Sequence, residues 1–121
     1  MAIRCLIVDD NDHFRCAARA LLEGEGIAVV GMAAASDEAL RQVDDALPDV
    51  ALVDIDLGEE NGFEVAQLLV DGRRRPPHVI LISTYEEGDL EEMIASSPAV
   101  AFLSKSALSG AAIREILQEA G

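Results

Sequence analysis

Five polar residues of this 121-residue chain stand at or just past the ends of apolar runs. Asp9 and Asp10 follow residues 3–8, Asp54 follows 50–53, Ser83 follows 78–82, and Lys105 comes two residues after 100–103. Three carboxylates brought together repel one another unless something positive sits among them. A hard divalent cation with oxygen ligands meets that need, and magnesium takes only one or two carboxylates while keeping several waters. A lone lysine does not balance three acids, but lysine and metal together can receive a phosphoryl group, whose transfer is mostly positioning and charge neutralisation. Asp54 is the candidate nucleophile, because carboxylates form acyl phosphates. Singly, each residue has a plainer reading: a solvated strand-end acid, a helix-entry acid pair, an ordinary strand end, a solvated lysine. Only convergence makes them a site, so the elements that carry them decide the matter.

The stretch 50–64, VALVDIDLGEENGFE, organises those elements. A continuous apolar run ending in an acid suggests a strand buried on both faces. The turn cluster Gly58-Glu59-Glu60-Asn61-Gly62 follows, and then helical spacing through Phe63, Val65, Ala66, Leu68 and Leu69 to about Val70. The same alternation recurs along the chain. A strand over 3–8 leads to a helix capped at Asn11-Asp12, with Phe14, Ala17, Ala18, Leu21 and Leu22 on one face. A strand over 27–30, followed by Gly31, leads to a helix capped by Ser36 with acids in its first turn, as the helix dipole prefers. The strand over 78–82 leads through 86–89 to a helix carrying Leu90, Met93, Ile94 and Ala95, broken by Pro98. The strand over 100–103 leads to a last helix with Ala112, Ile113, Ile116 and Leu117. Strand then helix, five times, predicts an α/β fold: a (βα)5 doubly wound, five-stranded parallel sheet. An eight-unit barrel would need about 250 residues. All strand carboxyl ends then lie on one edge, where open sheets bind ligands.

Composition narrows the function classes. The net charge of −14 argues against direct nucleic acid binding or contact with an anionic membrane. Half the residues are hydrophobic but only 3% are aromatic, so the core must be aliphatic. No run approaches the ~20 residues of a membrane span, and no signal peptide opens the chain. Cys5, in a strand, and Cys16, in a helix pattern, read as buried free thiols of a cytoplasmic protein. The arginines at 73–75 read as a solvated loop, and His13 and His78 as incidental.

With Asp9-Asp10, Asp54, Ser83 and Lys105 in this order and spacing, the chain resembles the receiver domain of bacterial two-component response regulators over its whole length, 1–121, with no effector domain inside it. The resemblance implies a flavodoxin-like sheet of strand order 2-1-3-4-5. It implies a phosphoacceptor at Asp54, charged by a sensor histidine kinase. Mg2+ would be held by Asp9, Asp10, Asp54 and the backbone carbonyl of Asp56. Ser83 and Lys105 would contact the phosphoryl oxygens, and Phe102 matches the family's aromatic switch position. The expected partners are the kinase and a downstream output domain or protein, with a homodimer on phosphorylation and an output in transcription regulation. Tyr85 and Lys105-Ser106-Ala107-Leu108 look most like receivers joined to LuxR- or NarL-type helix-turn-helix domains. Four positions depart from the family's habit: Gly58 for proline, Asn61 for aspartate, Thr84 for a small residue beside the switch hydroxyl, and Ser106 for the proline after the lysine.

A rival class is a phosphatase of the haloacid dehalogenase type, whose nucleophile also ends a strand in Asp-x-Asp, as Asp54-Ile55-Asp56 does. In that family the motif sits on an early strand and a cap domain accompanies it. Here it sits on the third strand of a short chain.

Overall fold

The aliphatic runs ending in polar residues form strands and the amphipathic runs form helices in the computed structural model, which describes residues 2–84, 88 and 90–120. In chain order the elements are β1 (Arg4–Val8), α1 (Asp12–Gly24), β2 (Ala28–Ala33), α2 (Ser36–Ala46), β3 (Val50–Asp54), β4 (Asp56–Leu57), β5 (Glu60–Asn61), α3 (Gly62–Val70), β6 (His78–Ser83), α4 (Glu91–Ser96), β7 (Ala101–Ser104) and α5 (Gly110–Ala120), with a 3-10 turn over Lys105–Ala107. Tyr85, Glu86, Glu87 and Asp89, which the sequence marks as a family-like position and a helix entry, lie outside the described residues.

Five strands form one sheet in the order β2-β1-β3-β6-β7, every pair parallel. With the two short strands β4 and β5 set aside, this is the expected 2-1-3-4-5. β3 is buried along its whole length. Its alternate residues face opposite sides of the sheet and enter two separate cores. Ala51 and Val53 join Leu6, Val8, Val79 and Leu81 against Ala39 and Val43 of α2 and Val65, Ala66 and Leu69 of α3. Val50 and Leu52 join Cys5, Ile7, Ile80 and Ile82 against Ala18 and Leu22 of α1 and Ile113 of α5. Helices thus cover both faces, and a strand with no solvent face needs no polar alternation.

Several local expectations are corrected. β2 runs past Gly31 to Ala33, because a bulge between the Cys5–Val29 and Leu6–Gly31 pairs inserts Val30 and carries the strand on. On α1 only Ala18 and Leu22 are buried; Ala17 is exposed and Leu21 is 44% exposed. Cys16 is exposed rather than buried, since it lies on that outer side of α1, whereas Cys5 is fully buried. Ser36 is the first residue of α2, not its cap. Ala35 holds the cap position without a side-chain bond, and Glu60 reaches across from β5 to accept from the Ser36 backbone N–H at 2.9 Å and from its hydroxyl. The turn cluster after Asp56 is a small antiparallel ribbon, β4 with β5, that brings Glu60 there. Leu68 and Met93, placed in helical apolar patterns, are each 48% exposed.

Candidate functional site at the carboxyl edge of the sheet

β1, β3 and β6 deliver their last residues to one edge. The register sets Val8 beside Val53 and Asp54 beside Ile82, so Asp9, Asp54 and Ser83 cluster by construction. The chain behind Asp54 is fixed by its surroundings. The Ile55 N–H donates to the Ile82 carbonyl at 3.0 Å, and the Gly62 N–H to the Ile55 carbonyl at 2.8 Å. Asn61 caps α3, its side chain accepting from the Phe63 N–H at 2.8 Å. Gly62 has to be glycine: a Cβ there would collide with the Asp54 carbonyl oxygen and come within 2.6 Å of Ile55 Cα. The start of α3 therefore packs directly under the acid.

Asp9 is fully buried. Its backbone N–H continues the sheet to the Ala33 carbonyl at 2.9 Å, and its carbonyl accepts from Arg15 at 2.7 Å. Its Oδ1 accepts from the Asn11 N–H at 2.9 Å, and its Oδ2 lies 2.7 Å from the Lys105 ammonium. Asp54, 5% exposed, accepts from the Asp56 N–H through Oδ1 at 3.1 Å and from Lys105 Nζ through Oδ2 at 3.2 Å. Asp10 is exposed, and an oxygen from each of Asp9, Asp10 and Asp54 falls within 4.8 Å of the others. The Asp56 side chain is exposed.

Burial, and then the neighbouring Asp9 charge, push Asp54 from the usual 3.8 up to about 6; the Asp56 N–H and Lys105 pull the other way and lose. Burial works against the Lys105 ammonium, but contact with Asp9 and Asp54 outweighs it and holds this lysine above its ordinary range. The lysine thus gains from the pocket, while Asp54 is held against its preference.

Three ionised carboxylates and one ammonium leave two negative charges, and Arg15, the neighbouring cation, is engaged by Asp12 at 2.9 Å. A deficit of two with hard oxygen donors, one of them exposed, fits a divalent cation. The residues present fit the group that the sequence implies.

The other expected residues take separate places. Ser83 is buried at the end of β6, paired in register with Ser104. Thr84 is exposed. Phe102 is half-buried in β7, in register with Leu81, and packs on the α2–α3 core. Gly58 has φ +60°, a backbone that proline, fixed near −65°, cannot adopt. The Lys105–Ser106 bond is trans. One contact escaped sequence reading: the Lys105 ammonium lies over the Phe14 ring, 4.4 Å from its centroid. The signal was an aromatic one helical turn after Asp10, which reads as a core position.

The family model for the response regulator receiver domain matches residues 5–118. The response regulator GacA of Pseudomonas viridiflava is 30% identical over 118 residues, covering 96% of this chain and 52% of that protein. Among solved structures, the signal receiver domain of NarL from Mycobacterium tuberculosis superposes with a TM-score of 0.80 at 30% identity, covering 98% of this chain and 96% of that one. The signal receiver domain of a modulated diguanylate cyclase from Desulfovibrio desulfuricans G20 gives 0.81 at 27% identity, covering 98% and 93%. The chain spans about half the length of the GacA proteins it matches. No helix among the described residues is long and apolar enough to cross a membrane.

Proposed function

The chain belongs to the receiver-domain family of two-component response regulators, and from that premise we propose that Asp54 takes a phosphoryl group from a sensor histidine kinase. Phosphorylation-dependent signalling is the family's activity; the residue roles are our assignment. The observation that carries it is the Lys105 ammonium set between the buried carboxylates of Asp9 and Asp54, with Asp10 open beside them.

An Asp54 carboxylate oxygen attacks phosphorus in line with the leaving imidazole of a phosphohistidine. The O–P bond forms as the N–P bond breaks, and the leaving nitrogen keeps the electron pair. Asp54 Oδ1 is held by the Asp56 N–H, which fixes the rotamer for attack. Lys105 follows its charge partner, moving from Oδ2 to a phosphoryl oxygen. Mg2+, held by Asp10, Asp54, the Asp56 carbonyl and, through its charge, Asp9, would supply neutralisation of the phosphoryl oxygens. Ser83, one residue beyond Asp54 in the sheet register, donates to the phosphoryl group, and Phe102 on the neighbouring strand follows by turning inward. The surface that responds is α4, β7 and α5, presented to an output domain or a second copy of the chain. The partner and an output in transcription regulation rest on the resemblance to receivers of LuxR- and NarL-type regulators, and a cytoplasmic location on the reading of Cys5 and Cys16 as free thiols. The phosphatase alternative is set aside, since the Asp-x-Asp motif serves here as the third-strand acid of a receiver.

Acetyl phosphate or phosphoramidate with Mg2+ should add one phosphoryl group by intact mass, and Asp54→Asn should abolish it. Unchanged labelling of the Asn variant would end the assignment.

A further inference from the structure

We propose that Phe14 is a positioning residue for Lys105, holding its ammonium between Asp9 and Asp54 through the face of the ring. The contacts form a closed circuit. Asp9 Oδ1 accepts from the Asn11 N–H at 2.9 Å, and Asn11 Oδ1 accepts from the Phe14 N–H at 3.0 Å, capping α1. The Phe14 ring lies 4.4 Å from Lys105 Nζ, and Nζ returns to Asp9 Oδ2 at 2.7 Å. The same carboxylate thus sets the lysine directly, and sets the ring against it through the first turn of α1.

An ammonium carries three donors. One donates to Asp54 Oδ2 at 3.2 Å, Asp9 Oδ2 pairs with the charge at 2.7 Å, and the ring faces the cation from α1. The lysine side chain is left only 17% exposed. The negative face of a ring attracts a cation more strongly where water is kept away. With an aliphatic residue in that place, the side chain still fills the gap but attracts nothing, and Lys105 visits solvent more often. The ring is half-buried at the edge of the α1–α5 core, where one part of it packs on that core and its face meets the cation.

The kinetic part of the inference rests on the proposed role of Lys105 at the phosphoryl group; the geometric part does not. Two readouts therefore separate them. In the unphosphorylated 121-residue chain, the ε-methylene protons of Lys105 should be shifted upfield by the ring. Phe14→Leu should abolish that shift and Phe14→Tyr should keep it. With acetyl phosphate and Mg2+, Phe14→Leu should slow labelling of Asp54 about two- to tenfold, the scale of a cation–π contact, while Phe14→Tyr restores the rate. In a Lys105→Met background the Phe14→Leu change should have no further effect. An absent upfield shift in the wild type, an unchanged rate in Phe14→Leu, or equal slowing with and without the lysine would overturn the proposal. A wild type that shows the shift but takes no phosphoryl group would sink the receiver chemistry and leave the ring's positioning role standing.

Discussion

In metal-free solution at pH 8, Asp54→Asn should melt above the wild type. Asp54 titrates near 3.8 when unfolded and at about 6 when folded, because burial and then Asp9 penalise its charge. Between those values the folded state holds more protons than the unfolded one, so stability falls as pH rises. The loss is complete above about pH 6 and amounts to about 3 kcal/mol. An asparagine has the same shape and no charge. It keeps the Asp56 N–H bond through its carbonyl oxygen, but turns its amide donors toward the Lys105 ammonium, which sits 3.2 Å from Oδ2. That contact cancels part of the gain and leaves about 1–2 kcal/mol, or roughly 4–8 °C in Tm for a domain of this size. Thermal melts in chelator, from pH 4 to 8, test the reasoning. Near pH 4, where the wild-type acid is neutral, the variant should melt below the wild type by the cost of that contact; the curves should cross between pH 4 and 6, with the variant the more stable above about pH 6. On the proposed metal reading, millimolar Mg2+ should then narrow the gap by stabilising the wild type alone. Equal melting temperatures at pH 8, or a less stable variant, would show that the fold does not strain the acid.

Other perturbations read other parts of the account. Glu60→Ala removes the carboxylate that holds the Ser36 N–H and hydroxyl and should cost about 0.5–2 kcal/mol in denaturant melts, the scale of a lost N-cap, with Glu60→Gln losing less. Asp10→Asn should lose most Mg2+ binding in calorimetry; equal affinity would exclude it as a ligand. Ser83→Ala should still label at Asp54 but respond less around Phe102. One charge-assisted hydrogen bond is worth about 1.5–3 kcal/mol, roughly a ten- to hundredfold population shift. Amide shift changes of equal size in both phosphorylated proteins would mean that Ser83 does not couple the two positions.

The sheet was legible because four of its five strands announce themselves twice, by an apolar run and by the polar residue at or just past its end, whereas β2 has only the run and continues to Ala33. Parallel pairing then places Asp9, Asp54 and Ser83 together without any side-chain information. What the sequence hid was non-local. Ser36 has the chemistry of a cap, and local patterning cannot show that Glu60, 24 residues on, caps the helix instead. Val30 bulges because β1 has one residue fewer to offer at that point, a property of the pair and not of either strand. Leu21, Leu68 and Met93 fit helical spacing yet stay exposed, since periodicity fixes a face but not how far its neighbour extends over it. Phe14 was visible as an apolar helix position, but its cation comes from residue 105.

The most direct measurement locates the phosphoryl group. After reaction with acetyl phosphate and Mg2+, borohydride reduction converts an aspartyl phosphate to homoserine, and peptide mass spectrometry reads where. Homoserine should appear at position 54 and nowhere else, with none in Asp54→Asn. Homoserine at position 9, 10 or 56, or a phosphoryl group on another residue type, would contradict it.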